Sequence, residues 1–128
     1  MKYYLTKTVD LPFKEAKVKV IEELKKQGFG VLTEIDVKAT LKKKIDVDFR
    51  DYVILGACNP PFAHKALQAE RHIGIMLPCN VIVQEGEKSG TEISIVDPVA
   101  AMGPIDNEAL SAIAPQVGKM LAQVLDNI

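Results

Sequence analysis

The chain has no tryptophan, and its aromatic residues are three tyrosines and four phenylalanines. It has two cysteines and two histidines, and only Arg50 and Arg71 among its basic residues are arginines. Each scarcity removes a class of function. Two cysteines are too few for a disulfide scaffold. Cys58, His64, His72 and Cys79 match no zinc-finger spacing, so neither a metal nor a cofactor is expected. Few arginines count against a bidentate clamp on carboxylate or phosphate. The formal net charge is −1 with the two signs interleaved, which speaks against nucleic acid as a partner. The run Lys42-Lys43-Lys44 reads as a solvated helix face. No apolar stretch approaches bilayer length, and Met1 to Lys7 contains no leader-like apolar core. A cytoplasmic protein with reduced thiols and no membrane partner is therefore expected.

What is present suffices for a core. The 128 residues are 48% hydrophobic and 26% charged, the make-up of one globular domain. Residues 3–9 read as a strand. Asp10 offers a cap for a helix in which Phe13, Ala16, Val20, Ile21 and Leu24 recur at steps of three and four, ending at Gly28. Residues 29–37 read as a second strand, with Val31, Thr33, Ile35 and Val37 on one face and Leu32, Glu34 and Asp36 on the other. A short helix is expected from Val37 to Ile45. The loop after it carries three aspartates but lacks the glycine and closing glutamate of a calcium loop. Residues 52–58 form an almost unbroken apolar run, read as a central strand buried on both faces.

A helix starting at Pro60, a strand from Cys79 to Gln84 and a returning strand from Thr91 to Val96 come next. The last two are joined by a glycine-containing hairpin loop. The apolar stretch Val99 to Pro104 reads as a connector packed down on the sheet edge or on a partner. A long final helix carries Leu110, Ile113, Ala114, Val117, Leu121, Val124 and Leu125 on one stripe, with Pro115 expected to kink it. The order of five strands and four helices gives an α+β fold, a single two-layer domain, in which antiparallel pairing is firm only for the last two strands.

Two segments are densest in residues that fix backbone geometry or carry reactive atoms. One is Leu55-Gly56-Ala57-Cys58-Asn59-Pro60-Pro61-Phe62-Ala63-His64; the other is Leu77-Pro78-Cys79-Asn80-Val81. In the first, Asn59 is placed to cap the helix, its Oδ1 taking the N–H of Phe62, with Pro60 and Pro61 in the first turn. Those prolines delete two free donors, which argues against a phosphate cradle. Cys58 and Cys79 read either as buried small residues or as functional thiols. Asn59 and Asn80 read as turn-satisfying amides or as contacts to a ligand's polar edge. His64 reads as solvated. Glu34 and Asp36 admit two readings: an acid/base or cation-binding pair, or a surface face with Asp36 capping the following helix. The plainer one outweighs the sharper, because carboxylate pairs are common on surfaces.

The chain resembles the DUF302 family of bacterial and archaeal proteins of unknown function. The resemblance rests on Gly28-Phe29-Gly30-Val31-Leu32, on Ile35-Asp36-Val37 with Leu41 and Lys42, and on Leu55 to Pro60. Leu77 to Val81 and Asp97-Pro98 with Ala101-Met102 complete it. It implies a compact α+β domain with a curved antiparallel sheet and helices on one side. It implies no activity and carries over no catalytic residue.

The expectation for function is a small binding domain. Its pocket would lie between the Cys58-to-His64 turn and the Pro78-to-Val81 segment, and its partner would be a small molecule. Cys58, Asn59, His64, Cys79, Asn80, Glu34 and Asp36 are the candidate residues. The alternatives are a thiol-dependent enzyme or redox protein using Cys58 and Cys79, and a homodimer subunit joined through the apolar connector and exposed sheet edges.

Overall fold

The computed structural model describes residues 2–128. In it these periodicities become β1 (Tyr4–Val9), α1 (Phe13–Lys26), β2 (Gly30–Asp36), α2 (Val37–Ile45) and β3 (Tyr52–Cys58). They are followed by α3 (Pro60–Ala69), β4 (Cys79–Glu85), β5 (Thr91–Val96), α4 (Pro98–Met102) and α5 (Glu108–Asp126), with a 3-10 turn at Ile73–Met76 before β4. The sheet order is β1-β5-β4-β3-β2, and every neighbouring pair is antiparallel. The fold is α+β, a five-stranded antiparallel sheet with helices packed on one face.

Alternation places Val53, Leu55 and Ala57 of β3, Val81 and Val83 of β4, and Ile93 and Ile95 of β5 on that face. Against them lie Ala16, Val20 and Leu24 of α1 and Val117, Leu121, Val124 and Leu125 of α5. Each fully buried aliphatic side chain contributes roughly 1.5–3 kcal/mol, so this layer is the main source of stability. β1 and β2 occupy opposite edges, and α1 carries the chain between them. Its 14 residues span about 21 Å, close to the four interstrand gaps of about 19 Å that it crosses. Lys7 of β1 donates to the carbonyls of Leu125 and Ile128, at 3.3 and 2.9 Å, placing a cation at the negative end of α5.

Several expectations change. Pro12 rather than Asp10 stands at the cap of α1, with no side-chain bond, and its carbonyl accepts from Ala16 at 2.9 Å. β4, not β3, is the middle strand, and β3 is less fully buried on the open face than on the helix side: there Gly56 is buried but Tyr52 and Ile54 are half-buried. β2 slips register between Val31 and Thr33, leaving Leu32 as the extra residue, 68% exposed. Val31 is therefore opposite Ala57 on the helix side, whereas Thr33 and Ile35 are opposite Gly56 and Ile54 on the open side. The single alternating phase read from the sequence breaks at that bulge. The apolar connector is the short helix α4, capped by Asp97, with Pro98 buried and α4 packed against α5. Pro115 lies on the exposed side of α5, and the helix continues through it.

Candidate functional site

β3 ends at Cys58, and Asn59 turns the chain into α3. Its Oδ1 accepts the Phe62 N–H at 3.4 Å, and its carbonyl accepts from Ala63 at 2.9 Å. Pro60 and Pro61 fill the first two helical positions, where their missing N–H groups cost nothing inside the helix. The other side of the Asn59 amide rests on the turn after α1. There Gly28 has φ 84°, and a Cβ would stand 3.1 Å from Asn59 Nδ2. Asn59 is thus 9% exposed and held from two elements. β4 starts alongside, with Cys79 opposite Ala57. Pro78 lies over Gly56, whose missing side chain makes the room.

These elements, with α4 and α5 above them, enclose a hollow of about 40 Å³ at the end of the sheet. Phe29, Cys58, Asn59, Phe62, Cys79 and Met102 are among its walls, and its accessible lining is almost wholly apolar. A space this size admits a methyl-sized group or a short stretch of chain. Pockets for drug-sized ligands run to roughly 300–1,000 Å³. Apolar hollows also hold water poorly, since nothing replaces its hydrogen bonds. The hollow therefore suits a small hydrocarbon group better than a polar substrate.

Burial pushes the Cys79 thiol up, from 9.0 to about 11, and the nearby Cys58 adds to the rise. At pH 7 only about one Cys79 in ten thousand is thiolate, the form that attacks electrophiles. Both cysteines are free. Cys79 acts here as a small apolar wall.

Of the residues singled out in the sequence, Cys58, Asn59 and Cys79 come together around this hollow. The rest do not. Asn80 follows Cys79 along β4 and faces the open side of the sheet, opposite Gly56; it belongs to a strand and not to a turn. His64 is exposed on α3. Glu34 forms an ion pair with Lys17 of α1, and Asp36 caps α2 by accepting the Ala39 N–H at 2.9 Å. Each of these carboxylates has its own local partner, so they do not work as a pair. Among the described residues no group of three or more His, Cys, Asp or Glu side chains could hold a metal ion. No helix there is long and apolar enough to cross a membrane.

Sequence reasoning missed the upper wall, formed by Phe62, Met102, Ile113, Ala114 and Val117. Ile113, Ala114 and Val117 read as ordinary helical core positions, Met102 as part of an apolar connector, and Phe62 as a core residue of the helix that follows Asn59. Only the packing of α3 and α4 on α5 turns them toward Cys58 and Cys79.

The family model described as "Domain of unknown function DUF302" matches residues 5–128. A solved structure, described as an uncharacterized conserved protein DUF302 from Bacillus stearothermophilus, superposes with a TM-score of 0.92. It is 33% identical over 99% of this chain and 98% of its own. No curated protein matches the sequence.

Proposed function

This chain belongs to the DUF302 family, and from that premise we propose that it is a non-enzymatic binding module that takes a small apolar group into the hollow beside Cys58, Asn59 and Cys79. The observation that carries the reading is the lining of that hollow, which offers carbon and sulfur and almost no polar surface. A polar reactant would lose its hydration there without recovering hydrogen bonds. An alkyl group would leave water at a gain of about 0.8 kcal/mol per buried CH₂. Met102 and Phe62 are only partly buried, so they are the walls best able to move aside for a longer chain. The thiol-dependent alternative is weaker, because Cys79 stays protonated near neutral pH.

The test is an NMR titration with linear alcohols from butanol to octanol. Affinity should rise with chain length, with shifts centred on the amides of Phe29, Phe62, Ala63, Met102 and Ala114. Ala63→Leu, which extends a wall into the hollow, should remove those shifts while the protein remains folded. Unchanged binding in that variant, or shifts scattered over the surface, would reject the reading.

A further inference from the structure

The open face of the sheet carries a second concavity, a trough of about 480 Å³. The sheet face on which it lies can be written out from the strand register. One row runs Thr8, Glu92, Gln84, Tyr52 from β1 to β3. The next runs Thr6, Ser94, Ile82, Ile54. At the far end Tyr4 pairs with Val96, and Asn80 pairs with Gly56. All three tyrosines of the chain, Tyr3, Tyr4 and Tyr52, line this trough, together with Arg50. So many of the chain's few aromatic residues in one place mark the trough as distinct from an ordinary solvated sheet face.

Arg50 is held in place, and among the described residues no carboxylate pairs directly with it. Its guanidinium lies 4.5 Å from the Phe49 ring centre and 5.4 Å from that of Tyr52. Its Nε donates to Gln84 Oε1 at 3.0 Å. Among the described residues it makes no ion pair, while the ion pairs there use lysine or histidine. Gln84 is fixed in turn, since its Nε2 donates to Glu92 Oε1 at 3.4 Å. Ser94 Oγ donates to the same oxygen at 3.2 Å and lies 2.9 Å from Thr6 Oγ1. This chain of bonds runs from the loop before β3 across three strands, β4, β5 and β1, and holds the guanidinium through Nε, leaving its terminal N–H groups to bind a ligand. Across the trough, three interstrand gaps over (about 14 Å) and four residues along the strands (about 13 Å), Tyr3 and Tyr4 stand edge to face with ring centres 5.1 Å apart.

We propose that this trough is a binding site for a planar, singly charged carboxylate. The carboxylate would sit on the terminal N–H groups of Arg50, and the planar body would lie over Ile82 and Ser94 between the two aromatic ends. A guanidinium presents a flat fork that matches a carboxylate. Tyrosine rings supply flat apolar contact with a polar edge. A phosphate dianion fits less well, because one arginine faces it and the carboxylate of Glu92 lies in the same trough. The site is independent of the apolar hollow, which lies on the other face of the sheet.

The experiment is an NMR titration of the full chain with sodium 2-naphthoate, acetate and inorganic phosphate. Saturable shifts with 2-naphthoate are expected at Tyr4, Asn80, Ile82, Gln84 and Ser94, with acetate and phosphate at least about tenfold weaker. Arg50→Gln should weaken 2-naphthoate at least about tenfold, and Arg50→Lys should not restore it, since the fork is lost. Glu92→Gln should strengthen binding by removing the neighbouring negative charge. Equal affinity in Arg50→Gln, phosphate binding as tightly as 2-naphthoate, or shifts centred instead on Phe62 and Met102 would overturn the proposal. Arg50 and Glu92 lie outside the helix-side core, so both variants should keep the wild-type amide spectrum elsewhere.

Discussion

Gly56 shows how one residue joins two segments that the sequence keeps apart. A methyl group there would collide with the Thr33 hydroxyl of β2 and stand 2.7 Å from Pro78 Cγ. Gly56→Ala should therefore destabilise the fold by about 1–3 kcal/mol, read as a lower urea midpoint at unchanged m-value. Cys79 gives a second test at this scale. Its thiol is protonated up to about pH 11 in the folded chain and ionises near 9.0 when exposed. The unfolded chain thus loses this proton first, and folding stability should fall as pH rises from about 9 to 11, by up to roughly 3 kcal/mol. Cys79→Ala should flatten that fall, and a wild-type loss equal to the variant's would contradict the burial argument. Residues whose partners are local in sequence were legible in advance. The sequence alone places Asn59 to accept from Phe62 and Asp36 to cap the helix from Val37, because cap and donor are three residues apart. Asn80 was not, since only strand register decides which face it takes.

Among the elements, α5 pairs a strong apolar stripe with a residue that weakens it. Pro115 supplies no N–H for the Ser111 carbonyl, and both residues are exposed, so water can take that acceptor. Pro115→Ala should restore the bond without disturbing the core and raise stability by about 1 kcal/mol or more, measured by thermal or urea unfolding. A loss of stability would mean that the helix geometry depends on the proline. The stripe itself was plain in the sequence because Leu110, Ala114, Val117, Leu121 and Val124 keep to one helical face. The bulge in β2 was hidden for the opposite reason. Its residues alternate acceptably in either phase, and only pairing with β3 shows that Val31 and Thr33 face different sides. α4 was hidden by its length, since five residues carry too little periodicity to separate a turn of helix from a packed loop.

At the level of the whole molecule, the strand order sets a gradient of protection. β4 lies in the middle of the sheet with Val81 and Val83 fully buried, whereas β2 is an edge with most of its residues exposed. Amide exchange should be slowest at Val81 and Val83 and fastest, among the strands, at Thr33 and Ile35. Uniform protection across the sheet would contradict this order. Fold class and most strand and helix bounds could be read from periodicity. The full antiparallel order could not, because sequence alone secured only the β4–β5 hairpin, and the other pairings depend on α1 carrying the chain across the sheet from β1 to β2. The candidate site was half legible for the same reason: its floor at Cys58, Asn59 and Cys79 came from local motifs, and its roof came from distant helices.

The slip at Leu32 has a further effect when many copies crowd together. An outermost strand is where fibres grow, because its outward backbone groups can recruit another chain. Here that side is bent after its second residue and then carries the acids Glu34 and Asp36. A like strand docking there would meet a broken ladder and matching negative charge, so this flank of the molecule resists being extended into a polymer.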